Sequence, residues 1–276
     1  MNHIKKLIFV FLALSNPIIH AHTVFIIIHG TWGSNSNWYT PKGDFFEALE
    51  KTVQKNNGTV VPFRWNGSNN HFERVKAAES LVKLVQTYDT KTTSLSIVAH
   101  SHGGNVALLA SHILAQETKN NAHIDVLYTL GTPGCKEYAP NMDTIHYLYN
   151  LFSFEDLIQP VLGAFTREQP HHERIANIRV FINGKEPDHT MLHNPCVARW
   201  LPMVHTDFIQ YTQMTYQSKN ISEPSIVYFD STKAPQYALD TKRIDLIERD
   251  QRVSLMLINS LRNSFEIGSK IPLIKR

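Results

Sequence analysis

A chain of 276 residues, 42% apolar and 18% charged, can remove about three quarters of its unfolded surface from water and is too apolar to be disordered. Its 27 basic and 24 acidic residues leave a net charge of +3 without a basic cluster, which excludes a nucleic-acid binder. With only 12 Gly and 13 Pro, collagen-like and linker-dominated chains are excluded as well.

Residues 1–21 read as an export signal. Lys5 and Lys6 precede the apolar run 7–14, Asn16-Pro17 breaks it, and Ala21 offers a small residue at the cut. That run is too short to span a bilayer, which takes about 20 residues. Cleavage would send residues 22–276, expected as a single domain, to the periplasm or out of the cell. In an oxidising compartment Cys135 and Cys196 are permitted one disulfide; the alternative is two separate buried thiols.

Residues 23–28 (TVFIII) form an apolar, β-branched run that predicts a buried strand ending at His29-Gly30. Residues 44–55 place Phe45, Phe46, Leu49 and Val53 at helical spacing, and 59–63 predict a second strand. Residues 72–88 predict a helix with Val75, Ala78, Leu81, Val82 and Val85 on one face. A third strand over 95–99 feeds an apolar helix over 103–116, and a strand over 125–130 stops at Gly131-Thr132-Pro133-Gly134. Strands over 145–151 and 178–182 follow. Strands separated by helices mean βαβ units, hence an α/β fold with a mostly parallel central sheet and helices on both faces. From about residue 217 the alternation is irregular: a strand over 226–229, a polar loop and a helix over 243–264 read as an appendage to the same domain.

Ala99-His100-Ser101-His102-Gly103 falls where the third strand gives way to a helix. A nucleophilic serine needs that place, because a sharp strand-to-helix turn lifts its hydroxyl out of the sheet and small flanking residues allow close approach. Relative to G-x-S-x-G, Ala99 adds one methyl group. A helix N-terminus at the same spot favours developing negative charge.

With His29-Gly30-Thr31-Trp32-Gly33 after the first strand and Leu130-Gly131-Thr132-Pro133 after the fourth, the chain resembles the α/β-hydrolase superfamily, in its lipase and serine-esterase branch. Residues 63–67 (FRWNG), Arg74 and Ala77 are similar to a subset of that branch. The resemblance covers about residues 23–201. It implies the α/β-hydrolase fold, a Ser-Asp-His triad in that chain order, and two main-chain N–H donors for the tetrahedral oxyanion, each worth about 2.7–4 kcal/mol. The donors fall to His102 and Thr31, with Trp32 the near alternative, and the His29 side chain is expected to brace the loop.

The acid is Asp156, just past the 145–151 strand in the pattern S-x-x-D-x-I, with Glu155 its neighbouring alternative. Asp125 and Asp143 precede strands and sit at the wrong end of the sheet. Of the 15 histidines, His189 lies in H-T-x-L shortly after the 178–182 strand, while His205, also ahead of apolar residues, competes; His193 is expected at the surface or behind the base. His189-x3-His193 and His171-His172-Glu173 lack the H-E-x-x-H zinc pattern, and Pro187 and Pro195 argue against a helix there. No metal and no cofactor is expected.

The expectation is an exported serine hydrolase of carboxylic esters, acting through an acyl-enzyme on a small-molecule or lipid substrate, with transient membrane-surface contact where the ester is a lipid. The same residues would serve an amidase or thioesterase, and a hydrolase fold can also bind without catalysing. Trp32, Trp38, Tyr39, Phe45, Trp65 and residues 152–154 are candidates for an apolar acyl pocket, and residues 135–144 for a cover over the site.

Overall fold

The computed structural model describes residues 22–117, 122–162, 167–217 and 226–238; the export signal and the helix expected over 243–264 lie outside them. The apolar runs become strands β1 (His22–Ile28), β2 (Gly58–Phe63), β3 (Thr93–His100), β4 (Ile124–Leu130), β5 (Ile145–Phe152), β6 (Ile175–Ile182), β7 (Ile226–Phe229) and β8 (Gln236–Ala238). They form one sheet in the order β2-β1-β3-β4-β5-β6-β7-β8, parallel throughout except for the antiparallel β8. The strand expected over 226–229 is therefore an integral part of the sheet, beyond the strand that had looked like the last, and the polar loop expected after it instead turns back to pair as β8.

Period-two alternation sends each strand's side chains to two layers. Phe25, Ile27 and Val98 join one core with helices α1 (Asp44–Val53) and α5 (Pro195–Gln217). Val24, Ile26, Ile28, Leu95 and Ile97 join the other with α2 (His71–Val85) and α3 (His102–Gln116). Asn70 starts α2 by accepting the Glu73 N–H at 2.9 Å, a side-chain N-cap. None of the described helices is long and apolar enough to cross a membrane.

Residues 195–217 form a single helix despite Pro202, which has no N–H to donate. Val197, Ala198, Leu201, Val204 and Phe208 bury one continuous face of it, and that packing outweighs the interrupted backbone ladder. His205 thus lies inside a helix, not ahead of one.

After β1 the chain pairs β2 on one side, then crosses back to place β3 on the other. The strand order reverses between β1 and β3, and a crevice at the carboxyl ends of the strands opens at such a reversal. Both glycine-containing motifs end there.

The cysteines are both free thiols. Cys196 belongs to the α1/α5 core and Cys135 packs against the α2/α3 core, so the sheet itself separates them and the disulfide is excluded. Reductant should leave the thermal midpoint of the purified protein unchanged, and the denatured, unreduced chain should titrate as two thiols; a reductant-dependent midpoint would contradict this packing.

Candidate active site

Ser101 joins β3 to α3 with φ 55° and ψ −135°, a conformation that L residues rarely adopt and that costs on the order of 1–3 kcal/mol. Its N–H donates to the Leu130 carbonyl at 2.9 Å, and its own carbonyl accepts the Gly104 N–H at 2.9 Å. Gly30 faces the corner: a Cβ there would stand 2.5 Å from the Ser101 Cβ and 3.1 Å from its Oγ. The β1 loop reaches the serine because Gly30 has no side chain. Ala99, where a glycine was the usual residue, loses nothing, since its methyl is buried in the α2/α3 core.

The loop after β1 is braced from beneath. The His29 ring is fully buried, stacked on Trp65 at 5.7 Å, with Nδ1 2.8 Å from the Gly30 carbonyl. Burial lowers its pKa, and Nε2 lies between the Trp65 carbonyl at 3.1 Å and the Trp65 N–H at 3.2 Å. Trp65 returns its indole N–H to the His29 carbonyl at 2.8 Å. The Trp32 N–H, the alternative to Thr31 in the expected pair of donors, is spent on the Gly67 carbonyl at 2.8 Å. The Thr31 hydroxyl is itself buried without a hydrogen-bond partner, a polar group that the sequence did not single out. His102 is the first residue of α3, where a main-chain N–H has no intrahelical acceptor.

Asp156 and His189 come together. Asp156 is fully buried after β5, and its Oδ2 accepts the His189 Nδ1–H at 2.7 Å. Its Oδ1 accepts the N–H groups of Ile158 (2.9 Å) and Gln159 (3.0 Å), at the start of the short helix α4 (Ile158–Leu162). Buried Arg167 donates to the carbonyls of Ser153 (2.7 Å) and Asp156, holding the turn that carries the acid. Glu155 is exposed. Gly131, at φ +59°, sits against the pair: a Cβ there would lie 2.8 Å from Asp156 Oδ2 and 3.2 Å from His189 Nδ1. Neither Arg167 nor Gly131's contact with the pair was readable beforehand, because both depend on which loops meet.

His189 is held from its far side as well. Asp188 Oδ1 accepts the N–H groups of Thr190 (2.9 Å) and Met191 (2.8 Å), closing a turn just past the ring. Buried His100, next to Ser101, packs against the His189 ring at 4.5 Å, with Nε2 2.8 Å from the His189 carbonyl. His193 stacks on Trp38 at 4.5 Å and meets His100 edge-on at 4.8 Å, so it lies behind His189. Trp38, Phe45, Thr190, Met191 and His193 line part of a cavity of about 490 Å³ beside this cluster. The rival His205 has its Nδ1 3.0 Å from the Tyr149 hydroxyl, in the α5 layer.

Tyr39, Phe45, Trp65, Phe152 and Phe154 are buried core, and residues 135–144 are bound down against α2 and α3, not laid over the site. The Tyr138 hydroxyl accepts from Arg74 Nε at 3.0 Å, and Ser111 of α3 pairs with Asn141 and Thr144.

A family model described as lipase (class 3) matches residues 25–163, just over half the chain, a span that includes Thr31, Ser101 and Asp156 but not His189. Among solved structures the chain is similar to an extracellular α/β-hydrolase from a Paenibacillus species, at 19% identity over 41% of each chain with a TM-score of 0.28. It is also similar to Aspergillus fumigatus lipase B (13% identity, 66% of this chain and 51% of that one, TM-score 0.45). A third likeness is to a cutinase-like protein from Cryptococcus sp. (11% identity, 85% and 90%, TM-score 0.34). The chain thus spans about two fifths of the Paenibacillus hydrolase and half of the Aspergillus lipase. No curated protein matches the sequence.

Burial pushes the pKa of His102, His193 and His205 down to about 4, against 6.5 for a solvated ring. Below pH 6.5 the unfolded chain therefore binds protons that the folded chain refuses, and stability falls as pH drops toward 4. The thermal midpoint should be level above pH 6.5 and decline from there to pH 4. The stretch above pH 5 isolates the histidines from most carboxylates. A midpoint that stays level from pH 6.5 to 5 would refute the neutral, buried rings.

Proposed function

Because the chain belongs to the class 3 lipase family, we propose that it is a serine ester hydrolase of the α/β-hydrolase fold in which Ser101, His189 and Asp156 carry the chemistry. One observation carries this reading. The 2.7 Å bond between Asp156 and His189 Nδ1 fixes the tautomer whose Nε2 is a base, and His189 packs on the residue next to the strained Ser101.

Ser101 Oγ attacks the ester carbonyl carbon while His189 Nε2 takes its proton and Asp156 stabilises the imidazolium. The carbonyl oxygen becomes an oxyanion that accepts from the Thr31 and His102 N–H groups. Collapse breaks the C–O bond to the alcohol, which leaves with the proton from His189. Water then attacks the acyl-enzyme, giving its proton to His189, and the second collapse returns that proton to Ser101 and releases the acid.

Apolar side chains exposed at the carboxyl edge of the sheet favour an ester with an apolar chain. Trp32 (76% exposed), Leu157, Ile158 and Met191 are all solvent-facing, and each lies within two residues of Thr31, Asp156 or His189. A rim of this kind suits a lipid ester and transient contact with its surface. Residues 1–21, with two lysines ahead of eight apolar residues, support export of the enzyme.

Ser101→Ala should abolish both ester hydrolysis and labelling by a fluorophosphonate. Asp156→Asn should lower kcat by about 10³–10⁴-fold, because the imidazole tautomer is lost. His205→Ala should keep most of the activity. Failure of the folded wild type to label, or loss of catalysis in His205→Ala with Asp156→Asn active, would overturn the assignment.

The rim has its own measurement. Trp32→Ser combined with Ile158→Ser should lower kcat/KM for a long-chain p-nitrophenyl ester about tenfold or more, since about 1.4 kcal/mol of lost apolar burial is enough. The acetate ester should be hydrolysed as before. An equal loss on both esters would show that the rim does not select the chain.

A further inference from the structure

The opposite end of the sheet holds a second cluster, made from residues that the catalytic reading leaves unused. His123 precedes β4, Asp125 is the second residue of that strand, and His146 is the second residue of β5. Residues two apart along a strand face the same way. The parallel register pairs Ile124 with Ile145 and Val126 with Tyr147, which sets His146 directly beside Asp125.

Their donor atoms converge on one point. Asp125 Oδ1 is 3.3 Å from His123 Nε2 and 3.4 Å from His146 Nδ1, and all three atoms lie within 4.8 Å of one another. Without an ion the carboxylate pairs with both imidazoles at the long end of hydrogen-bonding distance. The same separations equal the edge of a zinc tetrahedron: metal–ligand bonds of about 2.0–2.2 Å at the tetrahedral angle put neighbouring donors about 3.3–3.5 Å apart. The carboxylate is already aimed, because Asp125 Oδ2 accepts the Leu95 N–H at 2.7 Å and turns Oδ1 toward the imidazoles. A hydrogen-bonded second oxygen is the outer support that metal-binding carboxylates use. The two rings stack at 4.2 Å, and the His146 side chain is 44% exposed, so a small rotation closes the third edge and leaves the fourth position open to water.

We propose that His123, Asp125 and His146 bind a zinc ion that clamps the start of β4 to the start of β5. The donor set fits: two imidazoles and one carboxylate suit a borderline-soft divalent cation and not calcium or magnesium, which take oxygen shells. The site is separate from the acyl-transfer chemistry. Asp125 lies five residues before the end of β4, about 17 Å from the carboxyl edge where Ser101 stands, so it takes no part in acyl transfer. The proposal does not depend on the assignment of the triad.

The full-length protein, stripped with a chelator and desalted, is titrated calorimetrically with Zn²⁺. One zinc per chain is expected, with a rise in thermal midpoint. His146→Ala and Asp125→Asn should each weaken binding by more than about tenfold, the lower end of what losing even an outer-shell partner costs. His171→Ala/His172→Ala, which alters the other paired histidines, should bind as the wild type does. Co²⁺ in the wild-type chain supplies a readout independent of folding in the variants: intense d–d bands of a tetrahedral site are expected. Absence of zinc uptake, uptake unaffected by both cluster substitutions, or the weak bands of octahedral cobalt would each overturn the proposal.

Discussion

The backbone at Ser101 stands at φ 55° and ψ −135° because everything around it denies the chain an easier path. β3 is paired on both sides up to its last residues, α3 begins at the next position, and the Ser101 N–H is tied to Leu130. Relaxing the torsion would pull the hydroxyl into the sheet or unwind the first turn of a helix whose Val106, Ala107, Leu108 and Ala110 are wholly buried. The strain at one residue is thus held by the burial of two layers, and Gly30 supplies the room that the protruding serine needs.

The other participants inherit their positions from that corner by way of the parallel sheet. With β1, β3, β5 and β6 all running the same way, Thr31, Ser101, Asp156 and His189 emerge at one edge though they span 158 positions of the chain. Each loop is then stiffened separately: His29 and Trp65 beneath Thr31, Arg167 behind Asp156, Asp188 and His100 around His189. Glu186 ties the loop before His189 to the turn before Asp156, since it pairs with Arg179 of β6 and accepts the Phe154 N–H. Among these supports the His29 and His100 rings are buried, and burial lowers the pKa of both, so the two imidazoles orient their loops without adding charge to the crevice.

The same sheet has a polar cluster at its other end, where Asp125 is useless as a triad acid but well placed between two histidines. A parallel strand makes this separation natural. Its amino end and carboxyl end are different surfaces, and residues that fail one site by position are free for another.

Much of the molecule could be read from local pattern alone. Apolar runs of four to seven residues marked most of the strands, 3.6-residue spacing marked the helices, and Ala99–Gly103 at a strand-to-helix boundary singled out Ser101, because each of these signals lies within a few residues of the chain. Packing between distant segments decided the rest. Whether Asp156 would meet His189 or His205 depended on α5 running unbroken through Pro202 and carrying His205 to Tyr149. Whether Trp32 kept a free N–H depended on Gly67 arriving beside the β1 loop. The two cysteines fell on opposite sides of the sheet, and of the aromatic residues proposed for a pocket Tyr39, Trp65, Phe152 and Phe154 were drawn into the core, Trp38 and Phe45 line the cavity beside His193, and Trp32 stands at the rim. Periodicity records which way a residue faces along its own element, and it carries no information about which other element will be there to meet it.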